Sequence, residues 1–236
     1  MPVEEIKALV ETVEGWLAEE EGVLLYHLAQ NCSGKGAIVE IGSWKGKSSI
    51  WLGRGSQSGK HVNVYAIDPH TGASEHKQLF GDVRTFDEFQ ANIKMAKVND
   101  VIIPIVKPAA EAAQDFHQPV ELIFIDGAHE YEFVKLDFEL WYPKVIEGGI
   151  MAFHDSTRFE GVSRAVGELV YKSRNFKHVR LVHSTTYAQK VRQNTARDRL
   201  RNRYVLFLKR LYELTTKVHL PKQLRSVGKT LFRRIQ

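Results

Sequence analysis

A mostly parallel α/β sheet with helices on both faces is the fold class this 236-residue sequence predicts. Three observations carry that expectation. Short β-branched and apolar runs alternate with segments of helical periodicity, the pattern of strands joined by crossover helices. One strand, Ala37–Ile41, runs into a glycine loop and then into a helix. Two others end in aspartate, at Asp68 and Asp126, where open α/β sheets bind their ligands.

In order, the chain opens with one or two amphipathic helices over Val3 to Asn31. Ile6, Leu9, Val10, Val13, Trp16 and Leu17 recur at three and four residues; Gly22 interrupts, and Val23, Leu24, Tyr26, His27 and Leu28 resume. Asn31-Cys32-Ser33-Gly34 ends the helix. Ala37–Ile41 is the first strand and Ser48–Gly53 the helix after the loop. Val62–Ile67 is the second strand, and Thr85–Ala96 a helix with Phe86, Phe89, Ile93 and Met95 apolar. Val101–Val106 is a third strand, Ala109–Phe116 a short helix, and Leu122–Ile125 a fully apolar fourth strand. Glu130–Tyr142 is helical, Gly148-Gly149 breaks the pattern, and Ile150–Phe153 is a fifth strand. Ser163–Tyr171 is a helix and Val179–Val182 a further strand.

Composition narrows the class. Hydrophobic residues make up 43% and charged residues 26%, which excludes disordered, collagen-like and disulfide-dense chains. Apolar runs such as Gly22–Tyr26 and Tyr204–Leu208 fall far short of a transmembrane helix. The acidic start, Met1-Pro2-Val3-Glu4-Glu5, does not resemble a secretory signal. The single cysteine, Cys32, reads as a buried thiol, so the expected location is cytoplasmic. The net charge of +5 is uneven: from Lys190 onward 14 Lys/Arg face 2 acids, +12, and the remainder has 19 against 26, −7. A basic tail on an acidic body points to a local contact surface.

The most informative stretch is Ile38-Val39-Glu40-Ile41-Gly42-Ser43-Trp44-Lys45-Gly46-Lys47-Ser48-Ser49. It presents backbone N–H groups and a helix N-terminus to an anionic group, with glycines allowing close approach. Spacing separates three ligand classes. A P-loop needs four residues between its first glycine and Gly-Lys-Ser, whereas Gly42 and Gly46 enclose three, so a nucleotide hydrolase is the remotest reading. A dinucleotide fingerprint needs G-x-G-x-x-G, which this loop does not supply. The third class carries an acid two residues before the first glycine, as Glu40 does here. That acid suits a positively charged ligand, since beside a phosphate it would be repulsive.

These residues resemble the first motif of the class I S-adenosylmethionine-dependent methyltransferases, most closely the small bacterial O-methyltransferases related to the macrocin and catechol groups. The resemblance runs from Gly15 to Val182 and includes three further motifs in order. Tyr65-Ala66-Ile67-Asp68-Pro69-His70-Thr71-Gly72 is similar to the acid ending the second strand. Phe124-Ile125-Asp126-Gly127-Ala128-His129-Glu130-Tyr131 is similar to the fourth strand and its loop, and Glu147-Gly148-Gly149-Ile150-Met151-Ala152-Phe153-His154-Asp155 to the turn into the fifth. The resemblance implies a Rossmann-like methyltransferase fold, a mostly parallel seven-stranded sheet with an antiparallel member in the last strand pair. It also implies S-adenosyl-L-methionine as cofactor. Gly42 then brings backbone to the amino-acid head and Ser48 donates to its carboxylate, with Glu40, Ser43 and Gly46 completing the loop. Asp68 either accepts the ribose hydroxyls or starts the turn before Pro69. Trp44 packs on the methionine portion or within its loop. His70 and Gly127 are further expected contacts. The polar residue usual near the adenine is replaced by Pro108-Ala109, which leaves a backbone contact at Ala109.

Asp126, His129, His154 and Asp155 are the candidates for chemistry. Two neighbouring carboxylates repel unless a cation joins them, and a hard divalent ion such as Mg²⁺ does so through oxygen ligands. In the resembling metal-dependent enzymes the positions of Asp126, His154 and Asp155 hold the metal. An imidazole at His154 shifts the preference toward Mn²⁺ or Zn²⁺; otherwise His154-Asp155 only orders the loop. The resemblance makes His129, beside Asp126, the general base, with a pKa suited to neutral pH. Asp137, mid-helix between Phe133 and Leu140, is left outside the catalytic set.

The expected organisation is a helical cap over 1–35, a cofactor-binding core over 36–188 and a basic helical tail over 189–236. The acceptor implied is a hydroxyl of a small molecule or glycan, with a non-catalytic cofactor-binding scaffold as the alternative. In the tail, Leu200, Tyr204, Phe207, Leu208, Leu211 and Leu214 form one helical stripe among arginines. Beyond Pro221 a second stripe follows at Leu224, Val227, Leu231 and Ile235, with Arg225, Lys229, Arg233 and Arg234. Such a tail packs within or between subunits, making a homo-oligomer, or lies on an anionic membrane surface. Nucleic acid is disfavoured, because it would leave the stripe exposed.

Overall fold

The computed structural model describes residues 2–72 and 83–217. Helices α1 (Val3–Glu11) and α2 (Glu19–Gln30) precede strand β1 (Ala37–Ile41) and helix α3 (Lys47–Ser58). Then come β2 (Val64–Ile67), α4 (Phe86–Met95), β3 (Ile102–Ile105), α5 (Ala109–Asp115), β4 (Val120–Ile125) and α6 (Tyr131–Trp141). The last elements are β5 (Val145–Phe153), α7 (Glu160–Val166) with a π-turn over Gly167–Tyr171, β6 (Phe176–Val182), β7 (Thr185–Lys190) and α8 (Ala196–Lys217).

The seven strands form one sheet in the order β3-β2-β1-β4-β5-β7-β6. All neighbours are parallel except β7, which runs antiparallel to both β5 and β6. The alternation of side chains along a strand explains the apolar runs. In β1 and β4, Ile38, Leu122 and Phe124 join the core beneath α1 to α4, while Val39, Ile41, Ile123 and Ile125 join the core beneath α5 to α8. A strand covered on both faces reads as a nearly continuous apolar run, and Glu40 is the polar exception in β1.

Several boundaries differ from those the sequence predicts. Gly22 does not interrupt a helix. It lies inside α2, and a Cβ there would fall 2.2 Å from the Trp51 indole nitrogen, so glycine is what lets α2 and α3 cross closely. Gly148-Gly149 lies within β5, next to a register shift against β4. β7 has no apolar run of its own; Thr185-Thr186-Tyr187-Ala188-Gln189-Lys190 is a strand because β5 and β6 both pair with it.

The tail stripe faces largely the other way from a packing stripe. Val205, Leu206 and Leu208 of α8 join the core, while Leu200, Tyr204, Phe207 and Leu214 are exposed. Polar groups set this rotation: the Asn202 amide donates to the Phe176 carbonyl (2.9 Å), and buried Lys209 donates to Ser163 Oγ (2.7 Å) and Glu213 (2.6 Å). Pro221 and the second stripe lie outside the described residues.

Candidate active site

The C-terminal ends of β1, β2, β4 and β5 meet at one edge, the ligand-binding end of an open parallel sheet. Backbone bonds tie these ends together. Gly42 N–H donates to the Ile67 carbonyl (2.9 Å), Asp126 N–H to Ile41 (2.8 Å) and His154 N–H to Ile125 (3.0 Å). Gly42 has φ +84°, and a Cβ there would lie 2.1 Å from the Asp126 carbonyl oxygen. Only glycine allows the exits of β1 and β4 to pass so closely.

A cavity of about 680 Å³ opens beside these strand ends. Gly42, Ser43, Trp44 and Ser48 line it from the loop and first turn of α3; Asp68, Ala109 and Gly127 line it from the exits of β2, β3 and β4. Trp16 and Leu17, from the segment between α1 and α2, also line it, with the Trp16 ring 5.6 Å from that of Trp44. Both Asp68 oxygens accept backbone N–H groups, from Trp44 (2.8 Å) and His70 (2.6 Å), so Asp68 orders the glycine loop and still faces the cavity.

Glu40, Gly46 and His70 do not line the cavity. Gly46, at φ +89°, precedes α3 and seats against Phe89. His70 turns inward: its Nδ1 lies 2.8 Å from Thr85 Oγ1 and its ring 5.1 Å from those of Phe86 and Phe89. A place next to a strand end did not fix its side-chain direction, because the backbone there adopts φ +55°. Glu40 is fully buried behind the loop. Ser49 Oγ donates to its Oε2, while Oε1 has no hydrogen-bond partner. Burial pushes the Glu40 carboxyl up to about 8, and the charges of Asp126 and Asp68 add to that effect, against bonds from Ser48 and Ser49.

At the other end of the cavity stand Asp126, His129, His154 and Asp155. His154 is buried, with Nδ1 2.9 Å from Asp126 Oδ1 and 3.4 Å from Asp155 Oδ2. Its Nε2 lies 3.1 Å from Glu21 Oε2. Burial works against a charged ring, but Asp126, Asp155 and Glu21 hold His154 well above the ordinary histidine range. Asp155, at φ +53°, is opposed by burial too, yet bonds from His129 and His154 keep its carboxyl well below the usual range. His129 Nε2 lies 3.5 Å from Asp155 Oδ2, and its ring stacks on Phe159 at 3.8 Å.

One residue of this site, Glu21, carries no mark in the sequence, and Asp137, left outside the catalytic set, borders the cavity. Glu21 follows two other glutamates in the first turn of α2 and reads as a dipole-favouring acid. Instead its fully buried carboxylate accepts from Ser184 N–H (3.0 Å), Ser184 Oγ (2.7 Å), Thr185 Oγ1 (2.8 Å) and Ala18 N–H (3.0 Å) as well as facing His154. No local signal marks a partnership that spans 133 positions. Asp137 also lines the cavity, and burial pushes its carboxyl up to about 7.

A divalent cation fits the reacting end. Asp126, His154 and Asp155 each offer one ligand atom, all within 4.8 Å of one another. Glu21 lies against Nε2 of His154, which orients Nδ1 toward the two carboxylates. A carboxylate behind a ligating histidine is the usual outer support of a metal site.

Strand order, glycine loop and the acid ending β2 together define the class I methyltransferase fold. Residues 39–156 match the family model of a methyltransferase domain, and the chain belongs to that family. An uncharacterized protein, R132, of Acanthamoeba polyphaga mimivirus is 31% identical over 120 residues, half of each chain, so this chain matches about half the length of that relative. Among solved structures, a protein from Corynebacterium glutamicum superposes with a TM-score of 0.60 at 18% identity, covering 81% of this chain and 90% of that one. An O-methyltransferase from Bacillus cereus, solved with SAH, superposes at 0.57 and 20% identity, covering 80% and 90%.

Proposed function

We propose that this chain is an S-adenosylmethionine-dependent O-methyltransferase acting on a hydroxyl of a small molecule or glycan. One observation carries the reading: a buried glutamate with an unfilled oxygen, Glu40, sits behind a glycine loop whose far side is bounded by Asp68. A ligand with an ammonium and a sulfonium sets positive charge in front of the loop that covers Glu40, and its ribose diol meets Asp68, whereas a phosphate would oppose both acids. Fold membership alone would not assign the activity.

In this reading the acceptor hydroxyl lies near His129. Asp155 orients the His129 imidazole through Nε2, and the imidazole, acting as general base, receives the hydroxyl proton. As the oxygen–carbon bond forms, the sulfur–carbon bond breaks in line, and the sulfur leaves as a neutral thioether. The protein's main contribution is alignment. A divalent ion held by Asp126 Oδ1, His154 Nδ1 and Asp155 Oδ2 would bind the acceptor oxygen and acidify its hydroxyl. Trp16, Phe133 and Phe159 at the cavity wall offer flat faces for a sugar or phenol ring. A cytoplasmic setting agrees with the chemistry of Cys32, whose thiol burial and the nearby Glu121 charge push up to about 12, leaving it inert.

The test is transfer of a labelled methyl group from S-adenosylmethionine to a panel of glycans and phenols, with and without a chelator. The expected result is transfer to oxygen that the chelator abolishes while cofactor affinity stays within about twofold. Full activity in chelator would remove the metal and leave His129 as the sole activator. Cofactor binding with no turnover on any acceptor would favour a scaffold.

A further inference from the structure

We propose that the outward face of α8 docks this protein on an anionic lipid surface. The inner face of the helix is already committed to the body through Asn202, Val205, Leu206, Leu208 and Lys209. The outer face therefore has a fixed orientation. It displays Leu200, Tyr204, Phe207 and Leu214, which are 73%, 52%, 61% and 59% exposed. Their spacing of four, three and seven residues places them on one strip of an α-helix.

Arginines border that strip. Arg197, Arg201, Arg203 and Arg210 are exposed, and Arg201 also contacts His178. The two acids of the helix are engaged elsewhere: Asp198 accepts from Thr195, and Glu213 from Lys209 and Ser163. The outer face of the helix is thus apolar at its centre and bordered by arginines, with Glu160 and Glu168 lying only in the groove beside Arg210. In sequence, the chain beyond the helix adds Lys222, Arg225, Lys229, Arg233 and Arg234 and no acid after Glu213.

That combination selects among occupants by charge. A second copy meeting this face through the same face would set arginine against arginine with no acid between them. Nucleic acid would engage the arginines but leave Leu200, Phe207 and Leu214 in water. An anionic bilayer satisfies both parts, taking the apolar strip into the headgroup boundary while its lipid phosphates and carboxylates meet the arginines. The position on the fold is also suitable. Lys209 bonds Ser163 in the middle of α7, and a groove between α7 and α8, bordered by Arg158, Phe159 and Arg210, shares Arg158 and Phe159 with the cavity wall. Docking would bring the cavity mouth close to the lipid surface.

Sedimentation of the full chain with phosphatidylcholine vesicles, with and without phosphatidylserine, tests this. The expected result is at least a tenfold (~10×) increase in partitioning with phosphatidylserine, lost as salt rises. Arg203→Glu/Arg210→Glu and, separately, Phe207→Ser/Leu214→Ser should each reduce binding by about tenfold or more. These side chains are exposed, and an unchanged circular dichroism spectrum verifies folding. Equal partitioning on both vesicle types would overturn the proposal. So would a dimer that Phe207→Ser/Leu214→Ser dissociates in the absence of any vesicle binding, or binding to RNA but not to vesicles.

Discussion

The two ends of the cavity use carboxylates in opposite ways. At the cofactor end, Glu40 is buried with one oxygen unfilled, and its carboxyl is pushed up to about 8. At the reacting end, Glu21 and Asp155 are buried as well, but histidines and hydroxyls satisfy them and hold both carboxyls well below the usual range. Burial alone therefore does not decide the charge state; the partner does. The reacting end carries its own cation in His154, whereas in the proposed reading the cofactor end takes one from its ligand. The contrast explains why one site folds as a closed network and the other as an open loop.

Removing the hub of the closed network should have the largest effect. Glu21→Ala strips His154 of an acceptor and leaves the Ser184 and Thr185 donors unpaired in the interior. A loss of about 3–5 kcal/mol is expected, seen as a fall in melting temperature of roughly 10 °C. A shift of only a degree or two would mean that the network is ornamental. At the same end, His129→Gln should lower kcat by about 10²–10⁴-fold and leave cofactor affinity nearly unchanged. Equal loss of both would make His129 a packing residue against Phe159.

What could be read from the sequence follows from how local each feature is. The glycine loop, Asp68, Asp126 with His129, and His154-Asp155 are contiguous motifs at strand ends, and the sheet brings strand ends together regardless of detail. Glu21 depends on a helix docking across the sheet from far away in the chain. β7 depends on its neighbours, and the rotation of α8 on the polar anchors Asn202 and Lys209, which apolar periodicity ignores. His70 shows the reverse error: the motif position was right, but its ring serves the fold.

At the open end the expected effects are smaller. Asp68→Ala should weaken S-adenosylmethionine binding by ~2 kcal/mol, through the lost acceptor and the loosened Trp44 loop. Unchanged affinity would reduce Asp68 to a turn residue. Asp137 offers a pH test. Its folded-state carboxyl, near 7, lies above its unfolded value of about 3.9. The folded protein thus holds an extra proton between those values, and stability falls as pH rises through that window. Asp137→Asn should flatten this slope. At pH ~8 it should add a net ~1 kcal/mol, because the buried amide keeps part of the desolvation cost. A slope unaffected by the substitution would show that Asp137 gains a partner on ionising.

The central claim is that Glu40 waits for a positively charged ligand, and proton release on cofactor binding tests it most directly. Calorimetric titration of S-adenosylmethionine near pH 7, in buffers of different ionisation heat, counts the protons exchanged. Because the free Glu40 carboxyl sits near 8, it is largely protonated before binding, and a cation arriving across the glycine loop from it should favour loss of that proton. The account predicts release of a substantial fraction of one proton by the wild type and none by Glu40→Gln, with weaker binding in the variant. Binding that releases the same number of protons from both proteins would contradict it.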